Sequence, residues 1–83
     1  MAHFLYFAWV REKIGVASET FDLPSEVSTV ANVISHLRAQ GEPYDKALED
    51  KNLRVAINQT YAQDNSPVSN NDEIAIFPPV SGG

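Results

Sequence analysis

Eighty-three residues, 43% of them apolar, are enough for one small domain with a single modest core, and too few for a second. A formal charge of −5, with six basic residues scattered among eleven acids, argues against a phosphate-binding surface and hence against nucleic acid as a partner. The chain contains no cysteine, which removes a disulfide framework, a thiolate metal site and a cysteine nucleophile together.

His3 to Val10 is rich in aromatics and reads as a strand. Its alternation puts Phe4, Tyr6 and Ala8 on one face and Leu5, Phe7 and Trp9 on the other, both apolar. Arg11 to Gly15 reads as a short helical turn ended by glycine. Ser18 to Leu23 alternates, with Phe21 and Leu23 toward the core, as a hairpin partner for the first strand, and Pro24 breaks it. Val30, Val33, Ile34 and Leu37 then fall at i, i+3, i+4 and i+7, one apolar stripe on a helical period. Ser28 or Thr29 suits the N-cap, and Gly41 with Pro43 marks the stop.

Tyr44 to Asp50 allows another helical turn, and Leu53, Val55 and Ile57 alternate as a core-facing strand. Asn58-Gln59 is a tight turn into a short returning strand at Thr60-Tyr61-Ala62, and this explains the Asn-Gln-Thr triplet better than glycosylation does. Asp64 to Asp72 is polar, with Ser66-Pro67 and Asn70-Asn71 as turn signals. Glu73 to Phe77 is the last strand, with Ile74 and Ile76 on one face and Ala75 and Phe77 on the other. The order predicts an α+β domain over residues 1–77, with one main helix packed across a mixed sheet. It is compatible with a β-grasp, or ubiquitin-like, fold whose first and last strands are central neighbours.

No apolar run reaches the roughly 18–20 residues that span a bilayer, and no secretory signal precedes the first strand, so the expectation is a cytoplasmic domain without a membrane partner. His3 and His36 lie in different elements with no third ligand at a metal spacing, so no metal site is expected. No glycine-rich phosphate loop occurs either. The C-terminal end carries more information. Pro78 and Pro79 stiffen the base of a tail, residues 78–83, and Gly82 and Gly83 leave its tip free in φ/ψ. A flexible arm of this kind can enter a narrow slot and present the Gly83 carboxylate as the reacting group. Phe7 and Phe77, if they share the outer face, form an apolar spot at the root of that arm, and Arg11 suits an acidic patch on a partner.

Phe7-Ala8-x-x-Arg11-Glu12-x-x-Gly15, Val55-Ala56-Ile57-Asn58-Gln59, Asp72 to Phe77 and Pro78-Pro79-Val80-Ser81-Gly82-Gly83 together resemble the small subunits of molybdopterin synthase, across essentially the whole chain. The resemblance implies a ubiquitin-like sulfur carrier without an active site of its own. By the same resemblance an adenylyltransferase of the ubiquitin-activating type would consume ATP to adenylate Gly83, the carrier itself binding no cofactor, and a sulfur donor enzyme would then make the thiocarboxylate. Pro78, Pro79, Val80, Ser81, Gly82 and Gly83 enter the active site of the large synthase subunit. There, in a heterotetramer, the sulfur builds the dithiolene of molybdopterin from cyclic pyranopterin monophosphate. Phe7, Arg11 and Phe77 map to the partner-facing surface. A sulfur carrier for thiamine or tRNA thiolation, a protein-conjugating tag and an inert interaction module remain as alternatives.

Overall fold

The computed structural model describes residues 1–79, and the expectations placed on Val80, Ser81, Gly82 and Gly83 lie outside the described residues. In chain order the elements are β1 (Ala2–Tyr6), α1 (Ala8–Ile14), β2 (Ser18–Phe21), α2 (Val30–Arg38), α3 (Tyr44–Ala47), β3 (Arg54–Ile57), β4 (Thr60–Ala62) and β5 (Glu73–Phe77). The strands form one mixed sheet in the order β2-β1-β5-β3-β4. β1 and β5 pair in parallel at its centre, β2 and β3 flank them antiparallel, and β4 folds back on β3. This is the expected α+β, β-grasp arrangement, with short α1 and α3 added to the one main helix.

The aromatic run expected to be a single strand from His3 to Val10 divides at Phe7. Phe4 and Tyr6 share one face as predicted, and that face is the core side. Ala8 then takes φ 53, a left-handed conformation that ends the ladder, and α1 begins. Val10 and Ile14 are buried one helical turn apart, so Ala8 and Trp9 leave the strand faces first assigned to them and Val10 leaves the strand. Gly15 closes α1 at φ 98, its N–H donating to the Arg11 carbonyl at 2.8 Å. The helical turn expected over Arg11 to Gly15 is thus the second half of a longer helix, and β1 and β2 pair antiparallel across it as expected.

Helix α2 follows its predicted pattern. Thr29 caps it, the hydroxyl accepting from the Asn32 N–H at 3.2 Å, and Val30, Val33 and Leu37 are buried. These side chains join Phe4, Tyr6, Val10, Val55, Ile74 and Ile76 in one core cluster, so the helices cover one face of the sheet. Among the described residues no helix is long and apolar enough to cross a membrane.

At the margin of the core the Glu19 carboxylate accepts a hydrogen bond from the Tyr6 hydroxyl at 2.8 Å and another from the Tyr44 hydroxyl at 2.7 Å. This ties β2 to both β1 and α3. Burial first, and the Glu19 contact second, holds the Tyr6 phenol well above its usual range and pushes Tyr44 up to about 12.

Candidate docking face at the root of the tail

The opposite face of the sheet carries the residues that alternate away from the core. Pairing lines up Leu5, Ala75, Ala56 and Tyr61 as one row across four strands, Leu5 opposite Ala75, Ala75 opposite Ala56, and Ala56 opposite Tyr61. The two alanines keep the middle of the row low, while Tyr61 rises at its end, 77% exposed. In the next row Arg54 stands opposite Phe77. The Tyr61 and Phe77 rings lie 5.9 Å apart between centroids at 39°, inside the range of favourable aromatic pairs.

Phe77 is the last residue of β5, and β5 is bonded on both sides, to β1 and to β3. Pro78 follows at once and cannot donate to a ladder. The chain therefore leaves the sheet after Phe77 from a central strand held on both sides. On the β1 side, the Phe7 N–H donates to the Ile76 carbonyl at 3.2 Å, setting the Phe7 backbone beside that point with its residue 47% exposed. Phe7 does so as the N-cap of α1 in extended conformation, not as a strand residue. Arg11 lies one turn further along α1, exposed, its N–H directed to the Phe7 carbonyl at 3.4 Å. The structure thus sets the Phe7 backbone beside the end of β5, with Arg11 one helical turn further along α1, and half-buried Pro78 and exposed Pro79 follow Phe77.

Two residues of this face escaped the sequence reading. Tyr61 was placed on a returning strand without a face, and Arg54 was passed over. Strict alternation from the core residues Val55 and Ile76 assigns Arg54 to the outer face beside Phe77, and pairing with Ala56 does the same for Tyr61. What holds Tyr61 in place is the Asn58-Gln59 turn, at φ 50 and φ 71. The Asn58 side chain fixes the turn to the start of β5, accepting from the Glu73 N–H at 2.9 Å and donating to the Asp72 carboxylate at 2.9 Å. The Ser69 N–H and this amide keep the Asp72 carboxyl below its usual range, the backbone donor contributing most.

Among the described residues no cluster of three His, Cys, Asp or Glu is placed to hold a metal ion, and His3 and His36 sit on β1 and α2. Ion pairing among the described residues joins Arg38 to Asp45 at 2.9 Å and the N-terminal amine to Asp22 at 3.8 Å, and involves neither Arg11 nor Arg54. The arrangement can bind a protein surface through the paired rings of Tyr61 and Phe77, with Arg54 opposite Phe77 beside them.

Residues 4–83 match the ThiS family. The chain is similar to a molybdopterin synthase sulfur carrier subunit of Haemophilus influenzae, 46% identical over 83 residues that cover 100% of both chains. A protein of the same name from Escherichia coli is 39% identical, again over 100% of both. Among solved structures, SAMP1 from Haloferax volcanii superposes with a TM-score of 0.74 at 26% identity, covering 99% of this chain and 98% of that one.

Proposed function

The chain belongs to the ThiS family, and from that premise we propose that it is the sulfur-carrier subunit of a molybdopterin synthase. The observation that carries this reading is the end-to-end similarity to proteins of that name, which takes in every residue up to Gly83. The geometry supports it, because a central strand ending at Phe77 with an open aromatic face beside it is what a delivered tail requires.

A carboxylate is a poor acyl donor, so Gly83 needs activation. One of its oxygens attacks the α-phosphorus of ATP on an adenylating partner of the ubiquitin-activating type, and pyrophosphate leaves. A sulfur donor at the oxidation level of hydrosulfide then attacks the acyl carbon, and AMP departs with the bonding pair. The product is a thiocarboxylate, anionic at neutral pH and nucleophilic at sulfur. Glycine at position 83 has no side chain to obstruct either attack. The domain's contribution is positioning: binding energy collected by Phe7, Arg11 and Phe77 holds the tail, residues 78–83, at the reacting centre. The partner enzymes supply the acid–base chemistry.

In the large synthase subunit the tail delivers sulfur to cyclic pyranopterin monophosphate. Two carriers acting in turn supply the two sulfurs of the dithiolene, and a heterotetramer with large subunits at the centre and carriers at the ends accommodates them. The working compartment is the cytoplasm. Reconstitution tests the assignment: thiocarboxylated chain, large subunit and cyclic pyranopterin monophosphate should yield molybdopterin. A charged chain that binds the large subunit yet yields none contradicts it and points to another sulfur pathway.

A further inference from the structure

Between β3, β4 and the end of β5 lies a shallow pocket of roughly 330 Å³ lined by Arg54, Val55, Tyr61, Ala62 and Phe77. Two of its lining residues are aliphatic and two are aromatic. Among the described residues its one charged lining residue is Arg54, which forms no ion pair with any of them. Arg38, by contrast, has its carboxylate in Asp45, bound at both Nε and Nη2 at 3.0 and 2.9 Å. In a chain with eleven acids and six bases, Arg54 places a positive charge opposite Phe77, the last residue of β5, with no ion-pair partner among the described residues.

We propose that this pocket receives a carboxylate-bearing side chain of the large synthase subunit, flanked by an apolar one, with Arg54 as the residue that recognises the acid. The inference rests on the carrier reading above and adds to it the chemistry of one contact. A guanidinium presents a planar fork of donors that matches a carboxylate in two parallel hydrogen bonds. When a partner covers Tyr61 and Phe77, water leaves the pocket and the charge pair strengthens with the fall in local dielectric. Because Arg54 is the cross-strand neighbour of Phe77, a contact there fixes the register of the face within one residue of where the tail begins. An acidic carrier otherwise suits a broadly basic partner surface. A single acid set in that surface would then discriminate against a partner that is basic throughout.

The test is the dissociation constant of the full chain for the large subunit, measured by calorimetry for the wild type, Arg54→Met and Arg54→Glu, with melting curves confirming that each variant is folded. Arg54→Met keeps the aliphatic bulk and should weaken binding about tenfold or more, and Arg54→Glu about a hundredfold, as for loss or reversal of one partner of a covered charge pair. Exchanging acids of the large subunit for lysine one at a time should reveal one exchange that restores binding to Arg54→Glu and to no other variant. Binding of Arg54→Met within about twofold of wild type, the range of an exposed and unimportant pair, overturns the inference, as does the absence of any restoring exchange. A wild type that fails to bind the large subunit removes the carrier reading as well. A wild type that binds and converts substrate beside indifferent Arg54 variants removes only the pocket.

Discussion

Replacing Glu19 by leucine removes the acceptor that two tyrosines share. The Tyr6 side chain is 1% exposed and its hydroxyl donates to Glu19 at 2.8 Å, so the substitution leaves a buried donor unpaired. A hydrogen bond to a charged group contributes about 1.5–3 kcal/mol, and an orphaned buried donor costs about 1–3 kcal/mol. Tyr44 is half-buried and can turn its hydroxyl to water, so its share is smaller. The expected loss is therefore about 2–4 kcal/mol, a large part of the roughly 4–12 kcal/mol that 83 residues ordinarily provide. In thermal denaturation this appears as a fall in Tm of about 8–32 °C, at about 4–8 °C per kcal/mol for a domain of this size. The double variant Glu19→Leu with Tyr6→Phe should regain part of the loss, because the orphaned hydroxyl is gone. The pH profile gives a second readout. The fold keeps both phenols neutral beyond their usual range, Tyr44 to about 12, while the unfolded chain ionises near pH 10. Stability is whole below about pH 10 and falls as pH rises toward and past 12, since the unfolded state gives up protons that the native state retains. Glu19→Leu should lessen this alkaline decline without abolishing it, because burial, the largest cause, persists. A Tm within about 2 °C of wild type, equivalent to less than about 0.5 kcal/mol, would refute the reasoning.

Tyr61→Ala should weaken binding of the large subunit by about 5- to 100-fold in titration calorimetry, as an exposed aromatic anchor does, while Tm stays within the shift of an ordinary surface change. Equal affinity would take Tyr61 out of the docking face. Asp72 contributes stability that is present above its unfolded pKa of about 3.9 and is lost as pH falls through its lower folded value. Asp72→Ala should therefore cost about 1 kcal/mol near neutrality and flatten the acid limb of a stability–pH curve, whereas an unchanged limb contradicts the Ser69 and Asn58 contacts as its source. At Gly15 a Cβ would meet nothing within 4 Å, yet φ is +98. Gly15→Ala should cost about 1–2 kcal/mol through backbone strain alone, and a neutral result in urea denaturation would argue against the left-handed cap.

What the residues disclosed depended on how local the determining contacts are. β5 was legible because Ile74 and Ile76 alternate cleanly with Ala75 and Phe77, and α2 because its apolar stripe and Thr29 cap lie within ten residues. The first strand was overextended because Phe7, Trp9 and Val10 favour strands by composition, while the left-handed Ala8 that starts α1 leaves no compositional mark. The apolar pair Val10 and Ile14 at a four-residue spacing was the available signal. Arg54 and Tyr61 could have been placed by carrying alternation outward from Val55. Their meeting with Phe77 depends on pairing between segments some twenty residues apart, which no local pattern specifies. The central parallel pairing of β1 and β5 is equally non-local and was expected from element order and resemblance, not from any one segment.

The central claim is that sulfur travels on Gly83. The direct measurement is the intact mass of the full chain after incubation with an adenylating partner, ATP and a sulfur source, with fragmentation of the C-terminal peptide to locate any change. The account predicts one oxygen of Gly83 replaced by sulfur, and no such species when Gly83 is deleted from an otherwise folded domain. An unmodified mass under conditions that charge another carrier, or adducts joined to lysine in place of the thiocarboxylate, would contradict it.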